Sequence, residues 1–167
     1  NAAAIGEMIY GNAKDLKDFV SITLGTGLGS GIVVNGKLVY GHDGFAGEYG
    51  HFRIIPNGRQ CGCGRKGCLE TYVSATGVVR SVTELDSPNK EVSALNNMET
   101  ISARDVFELA QSGDALAEEI IDFTAQTLGS ALADYVCFSS PAAYVLFGGI
   151  AQNGAPFAAK VKTYMEQ

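Results

Sequence analysis

Apolar positions fall at helical spacing from the start of the chain. Ala2, Ala3, Ala4, Ile5, Met8 and Ile9 predict a helix from Asn1 to about Gly11. A polar connector leads to Asp18, and the period then changes. Phe19 to Thr26 is rich in β-formers, Gly29 to Val34 continues into Asn35-Gly36, a strong hairpin signal, and Lys37 to Tyr40 reads as the return strand. An antiparallel meander is therefore expected after the opening helix. Gly41 to Gly47 is a glycine-rich loop whose His42 and Asp43 are expected to face solvent. Pro56-Asn57-Gly58 predicts a turn, Thr71 to Val82 a helix packed beneath the segment before it, and Asp86 to Thr100 a mobile polar loop.

Helical spacing then returns. Ser102 with Asp105 reads as a capping box opening a helix to about Gln111. Asp114 can cap a long helix whose apolar stripe is Leu116, Ile120, Ile121, Thr124, Leu128, Ala131, Leu132 and Tyr135. Pro141 ends that pattern, Ala143 to Phe147 reads as a buried strand, and Gly148-Gly149 turns it toward a last helix near Pro156. A strand ending in paired glycines beside a helix is a place where a nucleotide can touch backbone, although such a turn is often structural.

Composition narrows the function classes. A chain of 167 residues is most simply one domain, large enough to bury a core without disulfides. The net charge is −6 and no run of Lys or Arg exists, which argues against nucleic-acid binding and leaves backbone groups to bind any phosphate. No apolar stretch reaches membrane-spanning length and no signal-peptide pattern opens the chain, so no membrane partner and a cytoplasmic location are expected. The sequence opens at Asn1, inside a helical rhythm with no cap ahead of it, and reads as a piece of a longer protein.

Candidate metal chemistry is concentrated in residues 48–70, E-Y-G-H-F-R-I-I-P-N-G-R-Q-C-G-C-G-R-K-G-C-L-E. His51, Cys61, Cys63 and Cys68 make a Cys3His set of the kind that closes a tetrahedral zinc site. Glycines at 62, 64 and 67 let the backbone fold tightly enough to aim these thiolates at one ion. A Cys-x-Cys pair meets disulfide geometry poorly, so zinc is the preferred reading over a redox pair or three free buried thiols. Cys137, alone in an apolar run, reads as a core residue.

The run L-G-T-G-L-G-S-G carries glycines at 25, 27, 29 and 31. A dinucleotide or P-loop fingerprint leads from a strand into a helix, whereas this run leads into a strand and an Asn-Gly hairpin, so dinucleotide binding is rejected. Glycines at period two leave one strand face bare for another backbone or a phosphate, with the Thr26 hydroxyl and local N–H groups as donors. The alternative is a glycine-rich turn that only tightens packing.

Taken together, L-G-T-G-L-G-S-G, G-E-Y-G-H through C-G-C-G-R-K-G-C-L-E, and V-L-F-G-G resemble the ROK family of repressors, open reading frames and sugar kinases over nearly the whole chain. The resemblance implies an α/β fold: one lobe of an actin-like (ribonuclease H-like) ATPase, with a mixed sheet, flanking helices and an inserted zinc loop at 48–70. It places residues 1–167 in the second of two lobes, the end at Gln167 falling short of the family's closing helix. The opening N-A-A-A-I-G-E resembles the helix after the family's catalytic aspartate, so that base is expected upstream of Asn1 and this chain alone is expected to be inactive.

The activity implied for the parent protein is ATP-dependent phosphorylation of a hexose, glucose first, with Mg alongside ATP and a structural zinc. Gly25, Thr26 and Gly27 would hold phosphates, Gly148 and Gly149 would face the adenosine, and Glu48, His51 and Glu70 would hold the sugar. The chemistry agrees with that last assignment, since ionised carboxylates accept strongly from vicinal hydroxyls and His51 can ligate through one nitrogen and donate through the other. A homodimer is also expected. The other readings are a sugar-responsive repressor whose DNA-binding domain precedes the two lobes, and a non-catalytic, zinc-stabilised sugar-binding module.

Overall fold

The computed structural model describes residues 1–167. In chain order the elements are α1 (Ala2–Tyr10), β1 (Phe19–Leu24), β2 (Leu28–Val34), β3 (Lys37–Leu38), α2 (Glu70–Val73), α3 (Ala75–Glu84), α4 (Ala103–Gln111), α5 (Ala115–Ser139), β4 (Ala143–Phe147) and α6 (Gly154–Met165). One sheet runs β3-β2-β1-β4. β1, β2 and β3 form the expected antiparallel meander, and β4 joins β1 in parallel, making the sheet mixed. Asn35 and Gly36 both take positive φ, 51° and 70°, as the tight hairpin requires. β3 is shorter than predicted because Gly41, at φ 74°, turns the chain off the sheet.

Alternation along β1 gives the sheet two apolar faces. Val20, Ile22 and Leu24 point into the main core with α2 to α6, while Phe19 joins Ala4, Ala13 and Val33 in a smaller cluster under α1. All eight residues of the predicted α5 stripe are buried. No helix is long and apolar enough to cross a membrane.

Four local expectations are corrected. The helix predicted over 71–82 is broken at Ser74, whose extended backbone (φ −76°, ψ 169°) lets its hydroxyl cap α3 by accepting from the Gly77 N–H. Residues 86–100 are packed rather than mobile: Ser87, Ser93 and Leu95 are buried, and the Asp114 carboxylate accepts from the Ser93 hydroxyl and the Ala94 N–H. β4 is an edge strand and only half-buried. Cys137 is exposed, because it lies with Val136 and Phe138 on the solvent side of α5.

Asp114 also caps α5 by accepting from the Ala117 N–H at 3.0 Å. Partial burial opposes its charge, but hydrogen bonds from Ala117, Ala94 and Ser93 hold the carboxyl below the ordinary carboxylate range. Asp114→Ala should cost about 2 kcal/mol at pH 7 through the lost cap and loop bonds. Because the folded pKa is depressed, that contribution is full above about pH 4 and fades as pH falls through the folded value. Urea denaturation of both proteins at pH 7 and pH 3 checks this, with the gap between them narrowing at the lower pH.

Candidate functional site

The segment between β3 and α2 folds on itself through short backbone bridges. Arg53 pairs with Cys68 and Gln60 with Lys66, and Gly67, at φ 80°, leaves no room for a Cβ against the Ile55 carbonyl. This brings His51, Cys61, Cys63 and Cys68 together with all four ligand atoms within 4.8 Å of one another. Cys61 Sγ lies 3.7 Å from His51 Nδ1, and Cys63 Sγ lies 3.6 Å from Cys68 Sγ. A tetrahedral zinc with ordinary bond lengths has S–S edges of about 3.8 Å and N–S edges of about 3.5 Å, so the donor set fits that ion. All cysteines are free thiols.

The thiols differ in their protonation. Burial pushes Cys61 up to about 12 and raises Cys68 as well, whereas hydrogen bonds from Arg65, backbone first and side chain second, bring exposed Cys63 down to about 6. A cation bound at the centre of the cluster would favour the thiolate form of these two thiols.

Glu70, the first residue of α2, stands between this cluster and the glycine run. Its Oε1 lies 3.3 Å from Cys61 Sγ and 3.7 Å from His51 Nδ1, and its Oε2 accepts from the Leu28 N–H at 3.2 Å. With 24% of its side chain exposed, it keeps lone pairs open to a solute. His51 turns Nδ1 to the thiols, leaving Nε2 as its second nitrogen. Glu48 is exposed and, with His51, Phe45, Phe52, Arg53 and Arg65, lines an open groove of about 820 Å³. Glu48 and His51 thus share that groove, while Glu70 reaches His51 at the metal cluster. The turn carrying them is fixed to β2, because the Ser30 hydroxyl donates to the Gly47 carbonyl and accepts from the Tyr49 N–H at 3.0 Å.

The glycine run does not form one bare strand face. Gly25-Thr26-Gly27 is a three-residue turn closed by the Gly25 N–H on the Gly27 carbonyl at 3.0 Å, and only Gly29 and Gly31 lie in β2. The close approaches differ too. A Cβ on Gly27 would sit 2.6 Å from Glu70 Oε2, and one on Gly31 would sit 2.7 Å from Ala4 in α1. Gly31 thus serves packing, while Gly25, Thr26 and Gly149 open onto a cleft of about 690 Å³. Gly148, at φ 102°, lies against the Leu24 carbonyl and carries the chain around the end of β1.

Several contributors are absent from the sequence reading. The Ala75 N–H donates to the Gly25 carbonyl at 2.8 Å and the Thr76 hydroxyl to the Thr26 carbonyl, tying the start of α3 to the turn. One wall of the cleft is α4, through Arg104, Phe107, Glu108 and Gln111. Arg59 is a buried hub beneath the metal loop. The Ser74-x-x-Gly77 spacing could have signalled the α3 cap, but no local pattern marks the other contacts.

The ROK family profile matches residues 1–167. A glucokinase of Halalkalibacterium halodurans is 40% identical over an alignment of 170 positions, which covers 99% of this chain and 52% of that protein. A crystal structure of a ROK family glucokinase from Streptomyces griseus, in complex with glucose and AMPPNP, superposes with a TM-score of 0.89 at 34% identity, covering 98% of this chain and 55% of that one. A ROK family transcriptional regulator, a homologue of the E. coli MLC protein, superposes with a TM-score of 0.84 at 32% identity, covering 99% of this chain and 41% of that one. The chain spans about half the length of the curated relatives it matches. Its mixed sheet and flanking helices are those of a lobe of the actin-like ATPase fold. A profile match over its whole length, together with relatives at this level of identity, makes the chain a member of the ROK family.

Proposed function

We propose that these residues serve ATP-dependent phosphorylation of a hexose, glucose first, in a cytoplasmic and homodimeric whole protein. Gly25, Thr26 and Gly27 hold phosphates, and Gly148 and Gly149 face the adenosine. Glu48, His51 and Glu70 grip the sugar, with His51 Nε2 donating to a hydroxyl. The observation that carries this reading is the position of Glu70. One oxygen binds the strand that leaves the glycine turn and the other faces His51, so the proposed sugar acceptor stands directly beside the proposed phosphate turn. Phosphoryl transfer asks for that proximity, since its catalysis is mainly positioning and charge stabilisation.

The general base is proposed to lie upstream of Asn1, so this chain supplies grip and not proton transfer. His51, Cys61, Cys63 and Cys68 hold a structural zinc. With protein donors for all four tetrahedral positions, a bound zinc would tie the loop together and would leave no open site for Lewis-acid chemistry. A second reading, a sugar-responsive transcriptional regulator, is favoured by the likeness to the MLC homologue. It predicts a helix-turn-helix ahead of the two lobes and no phosphoryl transfer.

Two measurements test these statements. Elemental analysis of protein prepared without added metal should find about one zinc per chain, and Cys63→Ser should remove it and loosen residues 48–70. Metal-free protein with a Cys61–Cys68 disulfide would contradict the zinc site. In a coupled ADP-release assay, the whole protein should phosphorylate an aldohexose with ATP, while residues 1–167 alone fall short by at least about a hundredfold for want of the base. Equal turnover by this chain would return the base to its own residues, with Asp43 first among them. A whole protein that binds sugar and DNA but transfers no phosphate would favour the regulator.

A further inference from the structure

Besides Glu70, a second connection joins the metal loop to the glycine turn, and it runs through Arg59. Only 8% of this side chain is exposed. Its Nη1 donates to the Thr71 carbonyl at 2.8 Å and the Gly77 carbonyl at 3.0 Å, and its Nη2 donates to the Ser81 hydroxyl at 3.0 Å. Nε lies 2.6 Å from Glu84 Oε2, and the guanidinium carbon sits 4.6 Å from the centroid of the Tyr72 ring. The Arg59 N–H completes the set by donating to the Tyr72 hydroxyl at 2.8 Å. Each guanidinium nitrogen is thereby engaged by residues 71–84, the junction of α2 with α3. The planar fork of arginine suits such a set, and an ammonium cannot reproduce it.

The same junction holds the glycine turn through the Ala75 N–H on the Gly25 carbonyl and the Thr76 hydroxyl on the Thr26 carbonyl. α2 and α3 do not form one stiff rod here, because Ser74 breaks them apart in extended conformation. Ser74 caps α3 locally, and Arg59 adds bonds on both sides of the break, to Thr71 before and Gly77 after. We propose that Arg59 is a positioning residue that fixes the α2–α3 junction and, through Ala75 and Thr76, the conformation of the Gly25–Gly27 turn. The metal loop and the turn are then mechanically linked. The consequence for nucleotide use rests on the reading of that turn as a phosphate site; the positioning itself does not.

Hydrogen exchange on this chain tests the link directly. In Arg59→Met, zinc content should stay at the wild-type level, while the Gly25 and Ala75 amides exchange about tenfold faster and the amides of the α5 core stay unchanged. Arg59→Lys should act in the same direction, and it decides the matter if the methionine variant does not fold. Thr76→Val should loosen the same amides, and the Arg59→Lys/Thr76→Val pair should show less than the product of the single effects, as two positions on one path do. Wild-type exchange at Gly25 and Ala75 in the Arg59 variants would overturn the proposal. So would a uniform rise that includes α5, or fully independent effects in the double variant. In the whole protein, Arg59→Lys should also raise the KM for ATP. Faster exchange with an unchanged ATP KM would sustain the positioning role and refute the nucleotide reading of the turn.

Discussion

The Glu70 carboxylate is the constraint on which the arrangement of the site depends. It is partly withdrawn from water and shared by the Cys61 thiol, the His51 ring and the Leu28 N–H, three groups from separate stretches of chain. Its Oε2 accepts from the Leu28 N–H, while its Oε1 lies against two members of the candidate metal cluster, so one carboxylate touches both. Gly27 has no side chain at the point where one would strike Oε2, which gives its place in the turn a steric cause. Metal loop, His51 and glycine turn thus meet at one polar centre at the start of α2.

Around that centre the fold divides its labour. β1, β2 and α5 contribute to a continuous apolar core, so the irregular backbone of residues 48–70 rests on a packed surface. The loop is anchored on that core by Tyr49, Leu69, Ile54 and Ile55, and its polar remainder is ordered by bridges at Arg53 and Gln60, the Arg59 hub and a donor set shaped for zinc. A structural ion suits such a segment, because ligand binding there also supplies folding free energy.

Much of this is legible in the sequence because the controlling forces are local. The α5 stripe, the Asn35-Gly36 hairpin and the Ser102–Asp105 capping box each follow from spacing and residue type, and each forms as expected. The convergence of His51 with three cysteines is legible for the same reason, since few other uses fit those residue types at that spacing. The misses share a different cause. Residues 86–100 look mobile by composition, yet Asp114, from the cap of α5, reaches back to bind Ser93 and Ala94. Cys137 looks buried by its neighbours but falls on the outer side of a long helix. The glycine run looks like one strand face, whereas its first half turns so that Leu28 can pair with Leu24. Arg59 bonds Thr71, Gly77 and Ser81, 12 to 22 residues further along the chain, a reach that no local spacing rule marks.

The claim that Glu70 unites sugar grip with the other two centres is tested most directly by Glu70→Gln in the whole protein, a change that preserves shape and removes charge. Steady-state kinetics with glucose and ATP, alongside zinc analysis of the same samples, give the readout. The account predicts a sugar KM raised by at least about tenfold, a much smaller change in the KM for ATP, and zinc retained at one equivalent. A variant with wild-type KM for sugar, or one that loses nucleotide affinity as severely as sugar affinity, would contradict it and reduce Glu70 to a structural strut.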